Sequence, residues 1–217
     1  MKLDPNDFVI TRRRKKYKFA HFANLENCFE LNEWQFPVTG KPVTVEVGAG
    51  TALFSVELAA RHPERFYIAL DVKADRLQKG ARAAEARKLD NIVFIRSRAD
   101  QLMEVCPENS VDEIWVTFPD PFPKKRAAKH RLSHPRFLAL YASILASGGD
   151  VRLKHDNLSF FCWSLEQLVH EKWEIEELSF DLHDADLSDE YKILTTYESR
   201  WLGEGGTINF VRARTSS

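Results

Sequence analysis

The residues best suited to chemistry lie in one stiff segment that joins an acidic side chain to a group of cations. Asp120 stands among Pro119, Pro121 and Pro123, which fix their own φ angles and keep their neighbours out of the helical region. Five Lys and Arg residues follow within positions 124–131. A rigid carboxylate backed by a cationic patch suits an enzyme that acts on a polyanion. The alternative is a surface loop followed by a solvated basic helix start.

A second set of residues has the chemistry of a nucleotide-type cofactor site. Gly48 and Gly50 follow an apolar run, so the backbone there can approach a ligand closely. Asp71 ends the next apolar run, where a carboxylate can accept hydrogen bonds from a ribose diol. Nicotinamide dehydrogenases and methyltransferases share this arrangement, but the third glycine of the dinucleotide fingerprint would fall near Phe54 and is absent. Glu46 would repel a pyrophosphate and suits the cationic methionine end of S-adenosyl-L-methionine, which favours a methyltransferase.

The elements that must position these residues are predicted from the spacing of apolar side chains. The predicted strands are Val43–Val47, Phe66–Leu70, Ile92–Arg96, Val111–Phe118, Gly149–Lys154, Trp173–Phe180 and Thr207–Arg214. The predicted helices are Leu53–Arg61, Ala74–Lys88, Pro135–Leu145 and Leu158–His170. Their alternation predicts an α/β fold with a doubly wound, mostly parallel sheet of seven strands. Because a loop rather than a long helix separates the last two strands, we expect an antiparallel hairpin at that edge.

Ligands of such sheets bind at the carboxyl ends of the strands, and the candidate residues fall there. The glycine turn follows the first predicted strand, and Asp71 ends the second. Residues 98–100 follow the third strand, and the proline segment follows the fourth. We therefore expect one crevice to collect the glycine turn and several carboxylates.

The length and the charge distribution suggest one catalytic domain preceded by a basic N-terminal arm. A chain of 217 residues predicts a single domain, here residues 41–217, preceded by a basic N-terminal arm over residues 1–40. The net charge of −1 conceals a segregation, because 11 of the 31 Lys and Arg lie in residues 12–18 and 124–131. The rest of the chain has 20 Lys and Arg residues and 32 Asp and Glu residues, so it is acidic. Two basic stretches on an acidic body predict a footprint for nucleic acid, although the first could equally be a solvated arm.

Cysteine content and hydropathy limit the cellular compartment and the partners that we expect. Cys28, Cys106 and Cys162 are scattered, which fits a reducing cytoplasm, and neither they nor the seven His show the spacing of metal ligands. No apolar stretch reaches the length of a membrane span, and the start lacks the apolar core of a signal peptide. We expect a cytoplasmic protein without a metal or a membrane partner; monomer and homodimer both stay open.

Five motifs, taken in order, resemble those of the tRNA (guanine-N7-)-methyltransferases. These class I enzymes use S-adenosyl-L-methionine to methylate a guanine in the tRNA variable loop. The motifs are Glu46-Val-Gly-Ala-Gly50, Ala69-Leu-Asp71, Phe118-Pro-Asp-Pro-Phe-Pro-Lys-Lys-Arg126, Leu153-Lys-His-Asp156 and Thr195-Thr-Tyr-Glu198. The resemblance runs from about residue 40 to the C-terminus. It implies the Rossmann-like fold of class I methyltransferases, with a seven-stranded sheet, and tRNA as the partner.

The resemblance also implies roles for individual residues. Cofactor contacts would come from Glu46, Gly48, Gly50, Asp71 and Asp120. Substrate contacts would come from Lys124, Asp156, Thr195 and Glu198. Without the resemblance, the segment from Thr195 to Glu198 would be predicted as a polar loop, and Asp156 as a helix cap.

Three positions depart from the family pattern. The family usually has Asp-Ala where this chain has Arg98-Ala99, so we expect Asp100 or backbone groups near Ala99 to meet the adenine, with Arg98 turned outward. A third glycine common in the family's turn is Ala52 here, a change that should cost little. His155 stands where Thr is frequent.

The chemistry requires positioning more than proton transfer. Guanine N7 already has an in-plane lone pair, so we expect Asp120 to act by position and electrostatics rather than as an obligatory base. The tRNA phosphates would be contacted by Lys125, Arg126, Lys129 and Arg131, with the N-terminal arm as a second contact. Two other functions stay open: a methyltransferase for a small molecule or another nucleic acid, and an RNA-binding module without enzymatic activity.

Overall fold

The structure, a computed structural model, describes residues 2–7, 9 and 13–215, without the side chains of residues 7, 13, 14 and 196. The chain folds as two compact units, Met1–Val105 and Cys106–Ser217. Of the first basic stretch, Arg12 and the side chains of Arg13 and Arg14 lie outside the described residues.

The first unit carries four strands that pair in parallel. They are β1 (Cys28–Glu30), β2 (Val43–Val47), β3 (Phe66–Asp71) and β4 (Ile92–Arg96), in the order β1-β4-β3-β2. The helices are α1 (Arg13–Ala23), α2 (Leu53–Arg61), α3 (Ala74–Ala86) and α4 (Leu102–Val105). Every residue of β2 is buried, as expected for a parallel strand covered on both faces. Helix α1 packs against α3 and buries Ala20 and Phe22.

The second unit combines one parallel pairing with two antiparallel ones. Its strands are β5 (Val111–Thr117), β6 (Leu145–His155), β7 (Trp173–Ser179) and β8 (Asn209–Thr215), in the order β5-β6-β8-β7. Strands β5 and β6 are parallel, whereas β8 runs antiparallel to both β6 and β7. The helices are α5 (Pro135–Ile144), α6 (Leu158–His170) and α7 (Thr196–Gly203). Lys125–His130 forms a 3-10 helix within residues 124–131, the basic segment that follows the prolines.

The α/β class and the mostly parallel pairing are confirmed, and several elements have the predicted bounds. Strands β2 and β4 and helices α2 and α6 begin and end where predicted. The antiparallel pairing of the last two strands is also confirmed. The largest shift is in β6, which begins at Leu145 rather than Gly149, because helix α5 passes directly into it.

Four strands or α-helices were missed, among them the short helix α4. The structure has eight strands among its described residues rather than seven, since Cys28–Glu30 pairs with β4. That strand and helix α1 fall in the segment predicted to be an arm. Thr196–Gly203 is a helix rather than a loop. Across the described part of the chain, no helix is both long and apolar enough to cross a membrane.

Candidate active site

The glycine turn between β2 and α2 is held by backbone hydrogen bonds. The N–H groups of Gly48 and Ala49 both donate to the Leu70 carbonyl at the end of β3, at 2.8 and 2.9 Å. The φ angles of Gly48 and Gly50 are 78° and 55°, in the left-handed region that favours glycine. Ala52 stands where the family often has a third glycine in this turn. It also has a positive φ, 54°, a conformation that glycine would take without strain.

Asp71 ties the end of β3 to this turn. Its Oδ2 accepts a hydrogen bond from the Gly50 N–H at 2.9 Å, and its Oδ1 accepts one from the Lys73 N–H at 2.8 Å. An ionised carboxylate has about four acceptor positions, so each oxygen keeps one for a further donor. The carboxylate is therefore fixed in place and can still accept from the two hydroxyls of a diol.

Glu46 places a buried carboxyl group near the end of β2. Its side chain is 2% exposed and accepts a short hydrogen bond from the Ser55 hydroxyl of α2. A buried carboxylate is stabilised by a neighbouring cation and destabilised by an anion. This position therefore favours a cationic ligand group over a phosphate.

A cavity of about 410 Å³ opens beside the ends of β3 and β4. Its walls include Val72 after β3, Ser97 and Arg98 after β4, and Glu30 and Asn32 from the N-terminal segment. Sequence reasoning assigned that segment to an arm and missed its place in the cavity wall. A cavity of this size fits a nucleoside-sized group.

Asp100, one of the groups expected to meet an adenine, is paired with Arg98. The Arg98 guanidinium donates to both carboxylate oxygens of Asp100, at 2.8 and 2.6 Å, and its side chain is 68% exposed. This hydrogen bonding raises the pKa of Arg98. Ala99 begins the short 3-10 helix Ala99–Gln101. Contact between Asp100 or Ala99 and an adenine stays a prediction.

Gly80, inside α3, supports the turn and was not singled out from the sequence. A Cβ at this position would lie 2.6 Å from the Thr51 carbonyl oxygen and 3.1 Å from the Ala52 Cβ. Only glycine lets α3 approach the turn this closely. An isolated glycine within a helical pattern was the signal that could have revealed it.

In the second unit, Asp120 is presented on a constrained loop. Its side chain is exposed, whereas Pro119 before it is buried. The flanking Phe118 and Phe122 have φ angles of 48° and 41°, which are rare for residues other than glycine. The Phe118 N–H donates to the Lys154 carbonyl at 2.9 Å, which fixes the start of the loop against β6.

Asp156 lies just beyond β6 and contacts Tyr197. Its Oδ2 accepts a hydrogen bond from the Tyr197 hydroxyl at 3.1 Å, and the Tyr197 ring lies 5.3 Å from that of Phe118. The carboxylate raises the pKa of Tyr197, in addition to the larger effect of desolvation. Asp156 does not cap α6, because Asn157 accepts the hydrogen bond from the Phe160 N–H. Its half-buried carboxylate thus stands next to the exposed Tyr197, whose ring in turn lies near the partly exposed ring of Phe118.

Glu198 is buried with a complete set of partners. Its side chain has no exposed surface, and it accepts hydrogen bonds from Lys154 Nζ and His183 Nε2, both at 2.8 Å, and from the Thr195 N–H. Thr195 caps α7 by accepting from the Glu198 N–H at 3.0 Å. The structure therefore gives both residues a defined role at the start of α7, while their predicted substrate contacts stay predictions.

The cations of the basic segment are of two kinds. The side chains of four are exposed, namely Lys124, Lys125, Arg126 and Lys129. Arg131 is half-buried; it donates to the Phe122 carbonyl at 3.1 Å and lies 4.3 Å from the centre of the Trp163 ring. Within the described residues, no cluster of three or more His, Cys, Asp or Glu side chains could hold a metal ion.

Solved structures with the same fold are methyltransferases. The 16S rRNA methyltransferase KamB matches with a TM-score of 0.61 at 18% identity, covering 82% of this chain and 89% of that one. A precorrin-6y C5,15-methyltransferase from Geobacter metallireducens matches with a TM-score of 0.56 at 14% identity, covering 100% and 98%. The family model "Methyltransf_4: Putative methyltransferase" matches residues 40–211. The fold and the glycine turn thus define an α/β enzyme of the Rossmann-like class I methyltransferase type.

Curated relatives narrow the class. A tRNA (guanine-N(7)-)-methyltransferase of Cytophaga hutchinsonii is 41% identical over 213 residues, which cover 92% of this chain and 96% of the relative. A protein of the same name from Brevibacillus brevis is 34% identical, over 79% of this chain and 80% of its own. The chain belongs to the tRNA (guanine-N(7)-)-methyltransferase family.

Proposed function

We propose that this enzyme transfers a methyl group from S-adenosyl-L-methionine to N7 of a guanine in the variable loop of tRNA. The observation that carries the proposal is a glycine turn tied to Asp71 through the Gly50 N–H, in a chain 41% identical to a relative of that name. Its three cysteines are free, which fits action in the cytoplasm, where tRNA is found.

The first unit fits the proposed cofactor. Asp71 has acceptor positions left for the ribose diol, Gly48 and Gly50 leave the backbone open to close approach, and Glu46 offers a negative charge to the methionine end. The cavity beside Ser97 has room for the adenosine portion, near Ala99 and Asp100. The cofactor supplies an activated methyl group on a sulfonium. The protein's task is to hold that group in line with the acceptor nitrogen.

The second unit supplies the groups for the guanine. Methylation at N7 leaves positive charge on the imidazole ring of the base, and a nearby carboxylate stabilises that charge. Asp120 is exposed on a constrained loop and is our choice for this role; the resemblance also assigns it a cofactor contact. Asp156 can accept from the amino and imino groups of the guanine edge, with Tyr197 and Phe118 as flanking rings. Thr195 and Glu198 shape this region from the start of α7.

The exposed cations supply the affinity for the tRNA backbone. Lys124 directly follows the loop and is proposed to contact the substrate near the target base. Phosphates would be bound by the flexible side chains of Lys125, Arg126 and Lys129. These contacts release counterions, so tRNA binding should weaken steeply with salt.

The experiment is to incubate the protein with tritiated S-adenosyl-L-methionine and bulk tRNA, and to map the label. N7-methylguanosine is recognised by selective chain scission after reduction and aniline treatment. The proposal predicts label in tRNA and scission at one variable-loop guanine. Label at another nucleoside, or in a small molecule but not in tRNA, would contradict it. Binding of tRNA without any labelling would favour the non-enzymatic alternative.

A further inference from the structure

The loop that carries Asp120 has few backbone donors of its own beyond the Phe118 N–H, which bonds to the Lys154 carbonyl. Pro119, Pro121 and Pro123 have no N–H groups, so the segment lacks the donors that normally close a turn. The two residues with positive φ, Phe118 and Phe122, are in conformations that persist only where the surroundings impose them. Side chains from elsewhere in the second unit can therefore contribute to holding the loop by donating to its carbonyls.

Two side chains supply those donors, one on each side of Asp120. His155 Nε2 lies 2.9 Å from the Pro119 carbonyl oxygen, and Arg131 Nη2 donates to the Phe122 carbonyl at 3.1 Å. His155 is 3% exposed, whereas Arg131 is half-buried. The carbonyls on both sides of the exposed carboxylate are thus fixed by side chains from other parts of the unit.

The hydrogen-bond pattern determines the tautomer of His155. The backbone N–H of Asn157 donates to His155 Nδ1 at 2.8 Å, so Nδ1 is the acceptor and carries no proton. The proton of the neutral ring is therefore on Nε2, which donates to Pro119. Burial lowers the pKa of His155, against smaller opposing effects of the Pro119 hydrogen bond and of Asp156, and so favours the neutral ring.

Both donors rest on the same helix. The centre of the His155 ring lies 4.4 Å from that of Phe160, and the Arg131 guanidinium lies 6.0 Å from Phe160 and 4.3 Å from Trp163. Phe160 and Trp163 are both in α6, which Asn157 caps. These ring contacts fix the orientation of the two donors.

We propose that His155 and Arg131 are positioning residues that clamp the Asp120 loop from both sides. The proposal rests on the proposed function, because it assigns the clamp to the methyl transfer that Asp120 assists. It gives Arg131 a role other than the phosphate contact expected from its charge. It also assigns a positioning role to His155, a residue at which the chain departs from the family pattern.

Two substitutions at residue 155 separate the two hydrogen bonds of the ring. His155→Asn keeps an acceptor for the Asn157 N–H but is too short to reach Pro119. His155→Gln places an amide N–H near the original Nε2 and should restore the bond to Pro119. Arg131→Gln removes the second donor. The matched controls are His170→Asn, whose side chain is 80% exposed, and Arg136→Gln, which removes an exposed charge just beyond the basic segment.

The first readout is single-turnover methyl transfer at saturating tRNA and S-adenosyl-L-methionine, with the tRNA Kd measured separately. We expect His155→Asn and Arg131→Gln to lower the rate by about ten- to a hundredfold, as small misplacements of a reacting group do, with little change in Kd. His155→Gln should recover most of the rate, and the controls should match the wild type. Wild-type rates in His155→Asn and Arg131→Gln would overturn the clamp, as would a failure of His155→Gln to improve on His155→Asn.

The second readout does not depend on the activity. Trypsin cleavage after Lys124, Lys125 and Arg126 requires the loop to open, and we expect it to be about tenfold faster in His155→Asn and Arg131→Gln than in the wild type, His155→Gln or the controls. If the wild type labels no tRNA but the loop is freed in this pattern, the proposed function fails and the clamp stands. If the wild type labels tRNA and cleavage is the same in all variants, the clamp fails alone.

Discussion

Removing the Glu198 carboxylate should destabilise the protein strongly. Lys154 and Glu198 have no exposed side-chain surface, and Lys154 Nζ donates to Glu198 Oε2 at 2.8 Å and to the Ile193 carbonyl at 3.0 Å. Glu198→Ala leaves the Lys154 ammonium buried without its counter-charge and also removes the acceptor for His183. Breaking a buried pair in this way costs about 3–5 kcal/mol. For a chain of this length that corresponds to a Tm lower by roughly 6–20 °C.

The assay is thermal and urea unfolding of the wild type and three variants. Glu204→Ala is the matched control, because the Glu204 side chain is exposed at the end of α7 and pairs with Arg200, a contact worth at most about 1 kcal/mol. The double variant Lys154→Met with Glu198→Leu removes both charges and should recover much of the loss. If Glu198→Ala is as stable as the control, the pair that Glu198 forms with Lys154 does not stabilise the fold. The same result would favour a role in substrate contact alone.

Four further predictions concern the cofactor site, the basic segment and the dependence on pH. Asp71→Ala should weaken S-adenosyl-L-methionine binding by about 1–3 kcal/mol, the scale of a lost charged hydrogen bond, and unchanged affinity in calorimetry would remove Asp71 from the site. Gly80→Ala should weaken the same binding about tenfold, because its Cβ would displace the turn at Thr51, and an unchanged affinity would contradict this. Burial lowers the pKa of His155 below the ordinary value of about 6.5, so the unfolded chain binds the proton more readily and stability should fall as the pH drops through about 6.5. Urea titrations from pH 7.5 to 5.5 should show a smaller loss in His155→Gln, and an equal loss would contradict the assignment. Finally, neutralising Lys125, Arg126 and Lys129 should make the slope of log K for tRNA binding against log salt concentration shallower by about three. The affinity for the cofactor should not change.

The regular core could be predicted because its pattern is local. Val43–Val47 and Ile92–Arg96 are short runs of branched apolar residues, and Leu53–Arg61 has apolar residues at helical spacing, so each has one dominant interpretation. Strand β1 has only three residues, too few for any periodicity. Helix α7 was missed because its first turn is polar, although Thr195 and Glu198 form a capping box that was legible in the sequence.

The site was predictable in its residue types but not in its contacts. The chemistry of Asp71 and Asp120 follows from their neighbours in the chain. The partners of Arg131 and His155 do not, because charge alone assigned Arg131 to a phosphate and nothing local pointed from His155 to Pro119, 36 positions away. Likewise, only the folded chain places Glu30 and Asn32 in the wall of the cavity beside β4.

The most direct test of the central claim is to remove the acceptor atom from the substrate. Two otherwise identical tRNAs would be compared, one with guanine and one with 7-deazaguanine at the mapped variable-loop position, so that only the N7 lone pair differs. Our account predicts methyl transfer to the first and none to the second, with equal Kd values for both. Methylation of the 7-deazaguanine tRNA at the normal rate would show that N7 at that position is not the acceptor and would contradict the account.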